Sequence, residues 1–182
     1  MNVFVIRILV DDQDDFIREM EVSSTQTFKD LHEFIVKSLK LGGEELASFH
    51  ITDHNWKKLR EITLIDMVGN AERRAGKNHR MPQTLIMSKT RLEDLLSDIE
   101  QKMLYEYDFL QMHTFRLEVV DVKSPESGQA YPRVSFSKGV LQLRENVKVE
   151  KDSYKLKQEL LNEFNSMLNH DDDEDYDVGD DY

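Results

Sequence analysis

The chain opens on a run of β-branched and aliphatic residues, VFVIRILV over Val3–Val10, which predicts a strand. A polar turn follows at Asp11, Asp12, Gln13, Asp14 and Asp15. Phe16, Arg18 and Met20 then alternate with Ile17, Glu19 and Glu21, and Val22 comes next. This period of two predicts a second strand paired to the first. Past Ser23, Ser24 and Thr25 the period changes. Phe28, Leu31, Ile35 and Leu39 recur at spacings of three and four, with Phe34 beside them, so one apolar helix face is expected over Phe28–Leu39. Thr27 is placed to cap that helix, Asp30 stands in its first turn near the positive end, and Leu41-Gly42-Gly43 supplies glycine where it should stop.

Residues 48–52 and 61–64 predict two more strands, with Asp53, His54 and Asn55 turning between them and Trp56 close by. Residues 65–68 read as a short helical turn. Residues 69–82 show no apolar period and are expected to form a long loop. Thr90 is expected to cap a short helix reaching Leu96. Residues 102–109 and 114–122 are the clearest strands of the second half, joined by a short turn. SPESGQAY over 124–131 is a break. Residues 134–149 predict a hairpin around Lys138-Gly139. Asp152 or Ser153 then caps an amphipathic helix whose apolar stripe is Tyr154, Leu156, Leu160, Leu161, Phe164, Met167 and Leu168. No internal repeat is visible. The order of the first 120 or so residues predicts an α+β fold of the β-grasp (ubiquitin-like) plan, a mixed sheet with a packed helix. The expected organisation is a β-grasp-like domain over 1–123, a linker over 124–131, a hairpin-helix extension over 132–170 and a disordered acidic tail over 171–182.

Two stretches carry a family resemblance. The first is Phe28-Lys29-Asp30-Leu31-His32 with the hairpin before it, then Ser48-Phe49, Trp56 and Glu61-Ile62-Thr63-Leu64-Ile65-Asp66-Met67. The second is Tyr105-Glu106-Tyr107-Asp108-Phe109, then His113, Leu117-Glu118 and Tyr131-Pro132. Together they resemble the Ri-plasmid ORF-three-like family. Some of its members are labelled passenger proteins of an insertion element, with a resolvase-like name. The first stretch looks closest to a branch common in Bacteroidetes-type bacteria, so the resemblance implies a bacterial, mobile-element-associated family. It spans residues 3–135 and implies more about fold than about activity. Leu110-Gln111-Met112 stands where the family has Gly-Asp and an aromatic before the histidine. Arg133-Val134-Ser135-Phe136 replaces its acidic segment after Tyr-Pro. No serine- or tyrosine-recombinase constellation accompanies the resolvase-like label.

Charge sharpens this picture at the C-terminal end. The formal net charge is −12, and DDDEDYDVGDDY over 171–182 contributes −8 of it, leaving −4 for residues 1–170. A block of like charges repels itself and cannot be buried, so a solvated tail is expected there. Bulk charge argues against simple binding to nucleic acid or an anionic membrane. There is no cysteine, which excludes disulfides, thiol nucleophiles and Cys-ligated metals. The N-terminal segment lacks a basic region followed by an apolar core and cleavage site, and no run reaches the roughly 18 apolar residues of a membrane span. A soluble, cytoplasmic protein is expected.

Candidate chemistry is sparse. His50, Asp53 and His54 form the most metal-like set, but a strand-and-turn placement does not bring them to one point as a helix would. Asp108, His113 and Glu118 could build a general-base pair across a turn, although a hydrogen bond fixing the hairpin is the plainer reading. The glycines form no phosphate-cradling loop and no serine sits in a nucleophile elbow. Arg73, Arg74, Lys77, His79 and Arg80, extended by Lys89 and Arg91, form one basic cluster. Arg133, Lys138, Arg144, Lys148, Lys151, Lys155 and Lys157 form another, interleaved with Tyr131, Phe136 and Tyr154. Such clusters displace counterions and stack bases in nucleic-acid binders; a charge-balanced solvated surface is the plainer reading. The amphipathic segment near the C-terminus could dock on a partner or pack on its own sheet.

No catalytic, cofactor-binding or metal-binding residue is therefore expected. The expected role is a non-enzymatic interaction or adaptor protein, accessory to a larger assembly such as RNA polymerase or the ribosome. Its contact residues would be Arg73, Arg74, Lys77 and Arg80, with Asp171, Asp172, Asp173, Glu174, Asp175, Tyr176 and Asp177. A protein partner is expected, nucleic acid is possible directly or through it, and no membrane is involved. The alternative is direct nucleic-acid binding by the basic loop 73–80 and segment 133–157, with the tail as internal competitor. A third reading is a hydrolase or metal enzyme around Asp108 and His113.

Overall fold

The computed structural model describes residues 1–11, 13–42, 45–65, 85–109 and 111–143. The strand β1, Val3–Val10, and β2, Ile17–Ser23, form the expected antiparallel hairpin, with Ile6 opposite Met20 and Phe4 opposite Val22. Helix α1, Phe28–Leu39, follows with the bounds its apolar spacing predicts. Thr27 Oγ1 accepts from the Asp30 amide at 3.2 Å, and Asp30 Oδ2 accepts from the Thr27 amide at 2.7 Å, a reciprocal capping box. The helix does not stop on glycine as expected. Lys40 takes the left-handed conformation at φ 56°, and the Leu41 amide returns to the Val36 carbonyl at 3.0 Å.

Six more strands follow: β3, Ala47–Thr52; β4, Lys58–Thr63; β5, Leu85–Ile86; β6, Lys102–Tyr107; β7, His113–Lys123; and β8, Arg133–Lys138. The short helix expected from Thr90 is a single 3-10 turn, Leu92–Asp94. The Thr90 hydroxyl does not cap it and donates instead to the Ile86 carbonyl at 2.9 Å. β5 has no counterpart in the periodicity, being only two residues long. The sequence calls at 66–84 and 144–182, including the long loop, the amphipathic helix and the tail, lie outside the described residues.

The β-grasp expectation is overturned. Among the described residues, eight strands make one sheet in the order β5-β4-β3-β6-β7-β1-β2-β8. In the β-grasp plan a single closing strand lies beside the first and runs parallel to it. Here β1 pairs antiparallel with β7, and β7 pairs antiparallel with β6, so a whole hairpin occupies the place of one strand. The short connection between Tyr107 and His113 forces this reversal, because so few residues can only join antiparallel neighbours. The parallel pairing that remains among described strands is β4 with β5, at Ile62–Leu85 and Thr63–Ile86. β8 pairs with β2, with Glu19 opposite Phe136, and residues 144–149 of the hairpin expected around Lys138-Gly139 lie outside the described residues. Gly139, at φ +70°, sits against the β1–β2 turn, where a Cβ would fall 2.2 Å from the Asp15 carbonyl oxygen.

The core lies between α1 and one face of the sheet. Phe28, Leu31, Ile35 and Leu39 of the helix are buried with Phe49, Ile62, Met103, Tyr105, Phe115 and Leu117. Phe28 meets Phe49 edge-on with ring centroids 5.3 Å apart, and Phe49 lies 4.7 Å from Tyr105. Because side chains alternate along a strand, the residues between these point to the second face, and there the character changes from apolar to charged.

Candidate functional site

Pairing β3 with both β4 and β6 assembles one polar cluster on the second face. His50 lies opposite Glu61 on β4, and Ser48 lies opposite Glu106 on β6. The His50 Nε2 atom is 2.9 Å from Glu106 Oε2 and 3.1 Å from Ser48 Oγ, and the Lys58 ammonium donates to the other Glu106 oxygen. Serine, histidine and carboxylate are the parts of a hydrolytic triad, but such a triad uses both ring nitrogens, one toward each partner. Here hydroxyl and carboxylate meet the same nitrogen, so the ring cannot relay a proton between them. Burial pushes the Glu106 carboxyl upward, and the Lys58 hydrogen bond and the nearby His50 and Lys58 charges outweigh it, holding the group below the usual range.

Next along the same face, Lys102 is opposite Glu118, and Leu104 opposite Arg116. Trp56, in the β3–β4 turn, adopts a positive φ of 65° that brings its ring beside these strands. The Lys102 nitrogen is 5.1 Å from its ring centroid and the Arg116 guanidinium carbon 5.0 Å, so the indole lies against two cations. Arg116 also pairs with Asp11 at 3.0 Å, and Arg7 with Glu19 at 2.7 Å.

At the β8 end, Glu21 is only 3% exposed. One carboxylate oxygen accepts from Lys123 at 2.6 Å and the other from Arg133 at 2.5 Å. Glu126 approaches the same two cations at 3.6 and 3.3 Å. Burial would raise the Glu21 carboxyl, and the hydrogen bonds and charges of Lys123 and Arg133 more than reverse this. The network ties β2, β7 and β8 together.

The expected site residues fare unevenly. Arg73, Arg74, Lys77 and Arg80, and the acidic set from Asp171 to Asp177, lie outside the described residues. Of the second basic cluster, Arg133 is held by Glu21 and Glu126, and Lys138 approaches Asp15 at 3.9 Å. His50, Asp53 and His54 do not converge. The Asp53 carboxylate accepts from the Asn55 and Lys57 amides at 2.9 Å each and shapes the turn. No three His, Cys, Asp or Glu side chains could hold a metal among the described residues. Asp108 and His113 flank the β6–β7 turn, where Asp108 takes φ 56° and its carboxylate accepts from the Gln111 amide at 3.3 Å. Glu118 is five residues past His113 on β7 and so faces the opposite side of the sheet.

Sequence reading missed Glu106, Lys58, Lys102, Arg116 and Glu21 as site members. Their partners come from strands remote in sequence, and an alternation of charged with apolar residues on β6 and β7 marked only Lys102, Glu106 and Arg116.

Comparison with known proteins agrees with this architecture. The model of the family described as plasmid pRiA4b ORF-3-like protein matches residues 2–177. The chain belongs to that family. No curated protein matches it. The crystal structure of a protein of unknown function from Methanosarcina mazei Go1 is similar in fold, with a TM-score of 0.62 at 18% identity. That similarity covers 100% of this chain and 91% of the other. Among the described residues, no helix is long and apolar enough to cross a membrane.

Proposed function

We propose that the chain is a non-enzymatic interaction protein, an accessory of a larger assembly, which docks through its acidic C-terminal segment. The observation that carries this reading is a contrast in charge pairing. Five cations of the sheet meet acids within the chain: Arg7 with Glu19, Lys58 with Glu106, Arg116 with Asp11, and Lys123 and Arg133 with Glu21. Residues 171–182 hold eight carboxylates and no basic residue in sequence. Their complement is a basic surface elsewhere, and the surfaces of nucleic-acid-handling machines such as RNA polymerase or the ribosome have that character. Tyr176 and Tyr182 in the acidic run would offer that partner aromatic surface.

The test is a tagged pull-down from native cytoplasm with the full chain and with Δ171–182, at low and moderate salt, read by mass spectrometry and nucleic-acid detection. A stoichiometric protein partner, lost with the deletion and weakened by salt, supports the reading. A partner retained equally by both forms overturns it.

A second reading, direct nucleic-acid binding, is favoured by Trp56 lying with Lys102 and Arg116 on the charged face. It expects Δ171–182 to raise affinity for DNA or RNA by removing an internal competitor. Unchanged, negligible affinity in the truncated form removes it.

A further inference from the structure

The strand β8 is joined to the sheet differently from its neighbours. Five of its six residues are exposed, Val134 by 40% and Phe136 by 47%, whereas β1 and β2 bury most of theirs. What holds it is largely polar. Besides its ladder to β2, Arg133 donates to Glu21 at 2.5 Å at one end. At the other, Arg18 donates to the Lys138 and Gly139 carbonyls at 2.8 and 2.9 Å. Gln13 exchanges two bonds with the Gln142 backbone, at 2.6 and 3.0 Å, and Leu141 packs against the core. Exposed bonds of this kind trade readily for bonds to water, so β8 belongs at the low end of local stability.

It is also separable. Residues 124–132, which lead to it, form no helix or strand, and among the described strands β8 pairs with β2 alone. Its departure would leave the β2 edge with a row of unpaired backbone groups, and would take Arg133 from Glu21, which is 3% exposed. That edge is shaped for one sequence. Its ladder shifts register between Glu19 and Met20, Glu21 requires the cation of Arg133, and the turn at Asp15 leaves no space for a Cβ where Gly139 lies. A second copy of this chain supplies all three features.

We propose that β8 exchanges between two copies of the chain, each lending residues 133–142 to the β2 edge of the other. The contacts made after exchange are those already present within one copy, so the trade costs no bond and concentration sets its extent. A tether as short as residues 124–132 holds a chain's own β8 at an effective concentration on the order of 1 mM, and the exchanged pair forms as the protein approaches that range. The pair would bring two acidic C-terminal segments together, but the exchange itself does not need them.

The absence of cysteine makes the test clean. Two full-length variants are prepared, Glu19→Cys and Phe136→Cys, at positions that are Cα partners across β2 and β8. Partners in an antiparallel ladder lie within disulfide reach, and neither variant can cross-link within itself. The two, one isotope-labelled, are mixed at about 1 mM, incubated, oxidised and read by intact mass. The expected result is a mixed disulfide dimer several-fold above either same-variant dimer, and its loss when mixing is done at about 10 µM. It should form several-fold faster when both partners also carry Arg18→Ala, and at the same rate in Δ171–182. No more mixed dimer than random pairing gives would overturn the proposal. So would an excess of the Phe136→Cys dimer, which means two β8 strands meeting edge to edge without exchange. An Arg18→Ala rate equal to the parent's, or a mixed dimer that disappears with residues 171–182, overturns it as well.

Discussion

The two faces of the sheet divide the work differently. The helix-covered face holds Phe28, Phe49, Tyr105 and Phe115 in successive ring contact, with His32 Nδ1 2.8 Å from the Tyr105 hydroxyl among them. The charged face holds ion pairs and the Trp56 platform, with most members partly exposed. Burial of apolar area stabilises the first in proportion to the surface removed from water. The second is built from contacts that individually contribute little in water. Stability should therefore be lost quickly by changes on the apolar face and slowly by changes on the charged one.

The largest effect is expected from Phe49→Ala, which removes a ring packed against Phe28 and Tyr105. About 3–5 kcal/mol should be lost in denaturant unfolding, since cavities left by aromatics collapse poorly. A loss below about 1 kcal/mol would show that the α1 packing is not the main source of stability. Glu21→Gln tests the exception on the charged face, where one carboxylate is as buried as the core. A loss of about 1–3 kcal/mol is expected, because a buried group loses two charge-assisted bonds. Docking of β8 should weaken with it, visible as faster amide exchange in Arg133–Lys138 than in β1.

Titration gives a smaller, signed effect. Burial of His32 lowers its pKa below the ordinary value near 6.5, with Glu33 opposing and Lys29 adding to the shift. The folded state therefore resists protonation that the unfolded state accepts. The stability this group contributes is complete above the unfolded value and is lost as pH falls from there through the folded value. Thermal unfolding should show a drop between pH 7.5 and pH 5.5 that is reduced in His32→Gln. Equal drops in both proteins would remove His32 from the account. Glu21 and Glu106, held low, add their own loss at more acidic pH, again as pH falls through the folded values. The smallest effect is expected from Arg116→Ala. It should cost under about 1 kcal/mol, as exposed pairs do, while shifting Trp56 emission through loss of the guanidinium 5.0 Å from the ring.

How far these faces were legible before the structure follows from the range of the interactions. Helix α1 and the paired strands β1 and β2 depend on local period and on a capping box spanning four residues, and both are visible in sequence. The family was legible for a related reason, since its motifs are short stretches contiguous in sequence. The sheet order was not. Whether the strand beside β1 runs parallel or antiparallel is decided by the short connection from β6 to β7, and by the pairing of residues more than a hundred positions apart. A register of that kind leaves no periodic trace. The charged cluster was hidden for the same reason: Ser48 and Glu106 are neighbours only because β3 lies beside β6. The pairing of Arg133 with Glu21 likewise turned an apparently free basic residue into a structural one.

The division of labour makes one direct demand of the acidic segment. Its charges, and not its length, should carry docking, while the sheet stays folded without them. The decisive measurement compares the full chain with a variant in which the acids at 171–177 become Asn or Gln, Tyr176 being kept. Both are used as bait from native cytoplasm at low salt, after equal thermal unfolding midpoints have been verified. The account predicts a stoichiometric partner with the parent chain and its loss with the neutral variant. Equal capture of the same partner by both would contradict it.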